Sequence, residues 1–198
     1  MSIAIQIDLN GATIALEGAA NPIADATLAA LSANGGYVVD GPQTEAPDIL
    51  LVCCPLRPET TTEDPRTLHA DVRKMATAMA ERGAGRIVFL MSAIAGMPMR
   101  RHPQFSIENA SILAGMRTLA MEFGPKVLVN AVGIGAVENT TVVSGDEAML
   151  SHTPVGRAGS IDEAVAAVLF FCDPLNTYTT GQMLSVDGGW TAGYGRNF

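Results

Sequence analysis

Four residues in the middle of the chain decide what chemistry it could do. Ser92 closes the apolar run "RIVFLMS", and His102, Phe105 and Asn109 follow in "HPQFSIENASI". A serine with a histidine can form a nucleophile–base pair if the two come within hydrogen-bond reach near an oxyanion site. Phe105 has no ionisable group and Asn109 carries no charge, so neither can exchange a proton. A second candidate group lies nearer the N-terminus, where Glu17, Gly18, Pro22 and Ala24 fall in "EGAANPIA". A glycine-bearing turn into a helix can hold an anion through backbone N–H groups. Pro22 has no N–H to offer, and Glu17 adds a charge of the wrong sign.

Strand-like and helix-like segments alternate around these residues. "ATIALEG" (12–18), "YVVD" (37–40), "DILLVCC" (48–54), "RIVFLM" (86–91), "VLVNAVG" (127–133) and "QMLSVDGG" (182–189) read as strands. The continuous apolar run at 48–54 fits a strand buried on both faces. "PIADATLAALSANGG" (22–36) reads as a helix with Pro22 in its first turn and glycines at its end. Asp64 and Pro65 begin a second helix, with Leu68, Val72, Met75 and Met79 as its apolar stripe. Residues 104–123 form a third, with Ile112, Met116, Leu119 and Phe123 at helical spacing. Ser160 and Glu163 fit a capping box for a fourth over 160–174. The alternation predicts an α/β fold, a mainly parallel sheet with helices on both faces, as a single domain over residues 1–198.

Composition narrows the partners. The formal net charge of −8 argues against nucleic acid and anionic membrane surfaces. No apolar run reaches membrane-spanning length, and "MSIAIQIDLNGA" lacks the pattern of a signal peptide. Cys53, Cys54 and Cys172 are odd in number and two are adjacent, so buried reduced thiols in a cytoplasmic protein are expected, with no metal site.

At "GRIVFLMSAIAG", "LVNAVGIG", "VGRAGSIDEAVAAVLFF" and "TGQMLSVDGGW" the sequence resembles the short-chain dehydrogenase/reductase family, most closely over residues 83–190. The resemblance implies a Rossmann-like, doubly wound parallel sheet. It is shortened in the dinucleotide-binding half, between "YVVDGP" and "DILLV", and again over 139–154. It also implies hydride transfer to or from a nicotinamide, with a serine, a tyrosine and a lysine at the reacting oxygen. Ser92 stands at the serine position, Phe105 at the tyrosine and Asn109 at the lysine. Losing a positioned general acid typically costs about 10²–10⁴ in rate. The family's further asparagine falls near Asp64 or Pro65 and is absent. In the family's glycine fingerprint Gly18 survives, while Pro22 and Ala24 replace the second and third glycines and Glu17 precedes them. "NNAG" becomes "CCPL" at 53–56, and the threonine that meets the nicotinamide amide becomes Asn139 or Thr140. Asp40 could still accept from a ribose hydroxyl, although a solvated turn aspartate is the preferred reading.

By resemblance, the retained helices (64–82, 104–123, 160–174) and the strand at 182–189 are the segments through which the family assembles. Heteromeric dehydrogenases with one degenerate subunit occur in it, including the pair acting on a hydroxybenzylsuccinyl-CoA intermediate. The expectation is therefore a catalytically inactive subunit of a heterodimer or heterotetramer. It binds no cofactor itself and associates with an intact short-chain dehydrogenase that holds the NAD. Its "TAGYGRNF" end could cover the partner's pocket. The alternatives are a cofactor-independent lyase or hydrolase using Ser92, and an unusual NAD(P)-dependent oxidoreductase. An open polar pocket at Ser92 would favour the lyase or hydrolase, and a pocket filled by Phe105 would oppose it.

Overall fold

The computed structural model describes residues 6–39, 46–58, 64–141 and 150–193. Its strands are β1 (Thr13–Gly18), β2 (Tyr37–Val38), β3 (Ile49–Cys53), β4 (Gly85–Ser92), β5 (Val127–Ile134) and β6 (Met183–Val186). They form one six-stranded sheet in the order β2-β1-β3-β4-β5-β6. Every neighbouring pair is parallel. All of β3 is buried, as a central strand covered on both faces must be.

Among the described residues, four helices cover the two faces: α1 (Pro22–Ala33), α2 (Pro65–Arg82), α3 (Pro103–Phe123) and α4 (Ile161–Cys172). Ile23 and Leu31 of α1 share one core with Val165, Val168 and Phe171 of α4. Leu68, Val72 and Met79 of α2 share the other with Ile112, Met116 and Leu119 of α3. The α2 stripe differs from expectation at one position. Ala76 is buried, and Met75 sits at the margin. Winding reverses between β1 and β3, and open α/β sheets bind ligands at such a switch point, outside the carboxyl ends of their strands. The Rossmann-like doubly wound sheet is thus present. β2, at the sheet edge, is two residues long, and residues 39 and 46–48 join it to β3 without a described helix or strand. Asp40 lies outside the described residues, as does most of the "TAGYGRNF" end.

Local chemistry sets the helix ends. The Asp64 carboxylate accepts from Arg66 N at 2.9 Å, with Pro65 in the first turn. At α4 the capping box is complete. Glu163 N donates to Ser160 Oγ at 3.2 Å, and Ser160 N donates to Glu163 Oε2 at 2.8 Å. Arg157 adds a bidentate pair to Glu163, at 2.7 and 3.0 Å. No helix among the described residues is long and apolar enough to cross a membrane. Cys53, Cys54 and Cys172 are buried and free. Burial pushes the Cys53 and Cys172 thiols up to about 12, and Cys54 higher still. None is a nucleophile at neutral pH.

The Arg157 hydrogen bonds, with the Ser160 amide, hold the Glu163 carboxyl at about 2, against an ordinary 4.5. A depressed carboxyl pKa adds stability above the unfolded value and loses it as pH falls through the folded one. We expect wild type to lose more melting temperature than Glu163→Gln between pH 4.5 and about 2. Parallel losses in a thermal-melt series would show that the pair contributes nothing.

Candidate functional site

The carboxyl ends of β1, β3, β4 and β5 open onto two adjoining cavities. The first, about 220 Å³, is lined among others by Ser92, His102, Phe105, Thr141, Asp187 and Trp190. The second, about 350 Å³, lies against Gly18, Pro22, Cys53, Leu68 and Ile112. Leu56 and Arg57 line both.

β4 ends in Ser92, which caps a short turn at Ala93–Ala95; its hydroxyl accepts from Ile94 N at 3.5 Å. Ser92 and Phe105 are both buried. Phe105 packs into the wall of the first cavity without filling it. Asn109 lies behind that wall and lines neither cavity. Its Oδ1 accepts from Ser92 N at 3.3 Å, and its Nδ2 donates to Phe105 O at 2.9 Å. Both ends of the amide therefore serve the joint between α3 and β4. His102 is half-buried on the first cavity and stands at the N-cap of α3, with no side-chain capping bond. Among the described residues no hydrogen bond joins it to Ser92.

The start of α1 closes on itself. Asn21 is the N-cap, and its Oδ1 accepts from Ile23 N at 3.0 Å and Ala24 N at 3.1 Å. Asp25 N donates to the Asn21 carbonyl at 2.9 Å. Pro22, the remaining first-turn residue, has no N–H. A helix N-terminus binds phosphate through donors left without partners; here Asn21 takes the N–H groups of Ile23 and Ala24. These residues do not fit a dinucleotide pyrophosphate. Gly18 survives for a different reason. A Cβ there would lie 2.3 Å from the Cys53 carbonyl oxygen, and its φ is +87°. The close approach of β1 to β3 demands glycine whether or not a ligand binds. Ala24 is fully buried in the core shared by α1 and α4.

Glu17 departs from the sequence expectation. It does not line the cavity beside Pro22. Side chains alternate along a strand: Leu16 faces the α1 core, while Ala15 faces the α2–α3 core. Glu17 shares Ala15's face, away from α1. Asn21 and Pro22, not Glu17, border the second cavity at the start of α1.

The residues after β5 divide between the two cavities. Asn139 and Thr140 line the second cavity, whereas Thr141 lines the first. The Thr141 hydroxyl donates to Gly135 O at 2.7 Å and accepts from Val137 N at 2.6 Å. Asp187, of "VDGGW", spends its carboxylate on its own turn. Gly189 N donates to one oxygen, and Thr191 N and Oγ1 donate to the other. Asn21 had a legible signal, an asparagine directly before a proline at a helix start.

Residues 65–191 match the family model described as enoyl-(acyl carrier protein) reductase. The chain belongs to the short-chain dehydrogenase/reductase family. Galactitol 2-dehydrogenase (L-tagatose-forming) of Cereibacter sphaeroides is 38% identical over 130 residues, 60% of this chain and 50% of that protein. The 3-oxoacyl-(acyl-carrier-protein) reductase of Aquifex aeolicus is 36% identical over 110 residues, 53% of this chain and 44% of that one. The chain thus spans about half the length of the curated relatives it matches. Among solved structures, the ligand-free aldohexose dehydrogenase of Thermoplasma acidophilum superposes with a TM-score of 0.77 at 16% identity, over 96% of this chain and 98% of that one. A 4-hydroxyisoleucine dehydrogenase complexed with NADH gives 0.73 at 19%, over 92% and 100%. These likenesses carry the fold.

If Asn21 is what satisfies the α1 terminus, Asn21→Ala should lower unfolding stability by about 1 kcal/mol and Asn21→Asp should not. Urea denaturation of the three proteins measures this. Equal stability in all three would mean that the cap is dispensable.

Proposed function

We propose that this chain is a catalytically inactive short-chain dehydrogenase-like subunit, associating with an intact family member and stabilising it. The observation that carries the reading is Asn109. Where the reaction needs a lysine in contact with cofactor and acid, an uncharged amide is buried and bonded within the chain. Phe105 beside it supplies no proton. The self-capped start of α1 supports the same conclusion for the cofactor: the NAD belongs to the partner.

Apolar side chains exposed on the retained segments support association. They are Ile107 and Met121 on α3, Phe170 on α4 and Leu184 on β6. The matching relatives are named as dehydrogenases and reductases, so turnover by the intact partner is the activity such a complex would have.

One observation favours a second reading. The cavity at Ser92 and His102 is open, which suits a cofactor-independent lyase or hydrolase. Against it, the Ser92 hydroxyl caps its own turn and has no hydrogen bond to His102.

Calorimetry with NADH and NADPH on the purified chain should show no micromolar binding. Phe105→Tyr with Asn109→Lys should add no reductase activity, because the α1 terminus stays capped. Micromolar binding, or turnover by the double variant, would overturn the proposal and restore an NAD(P)-dependent oxidoreductase.

A further inference from the structure

We draw no further inference here: the strongest candidate, the exposed surface stripe of Ile107, Ala110, Ala114, Thr118 and Met121 along α3, restates an association segment already read from the family resemblance, and nothing in the structure shows what covers it.

Discussion

A buried polar group must find a partner, and at the open end of this sheet two asparagines supply it. Asn21 takes the N–H groups of Ile23 and Ala24. Asn109 takes the N–H of Ser92 and donates to the carbonyl of Phe105. Leaving such groups unpaired typically costs about 1–3 kcal/mol each. These bonds pair the start of α1 and the end of β4 within the chain. The same two positions sit where a dehydrogenase of this family would engage phosphate and lysine chemistry. The scaffold can therefore remain intact while its polar contacts turn inward.

What the sequence disclosed follows from how local each feature is. Ser160 and Glu163 are three residues apart, and Asp64 stands directly before Pro65, so both helix starts were legible in order. The buried strand at Ile49–Cys53 was legible from its unbroken apolar run. Gly18 matches the family's first fingerprint glycine, but the reason for it is not local. That reason is the Cys53 carbonyl on the neighbouring strand, a contact that exists only once β1 and β3 are paired. Glu17 is a sequence neighbour of the α1 start but not a spatial neighbour of its cavity. The pleat turns it to the other face.

The cavities were the least legible feature. Phe105 stands at the family's tyrosine position and is buried, yet the space beside it stays open because Ile94, Ile134 and Trp190 approach from separate elements. Arg57 carried no motif at all. Its position follows from the connection after β3 passing between two cavities whose walls come from both halves of the chain. Superposition on dehydrogenases over more than nine-tenths of this chain fits a fold conserved in backbone with a site altered in side chains. Fold and activity are separable in this way because a site is a handful of groups grafted on a scaffold.

The company this chain keeps decides between a subunit and a solitary enzyme. Native mass spectrometry of the tagged chain, purified gently from the cells that make it, reads this directly. We expect a heteromer with an intact short-chain dehydrogenase, carrying dinucleotide in proportion to the partner and none in proportion to this chain. A homo-oligomer of this chain alone, with dinucleotide bound to each copy, would contradict it.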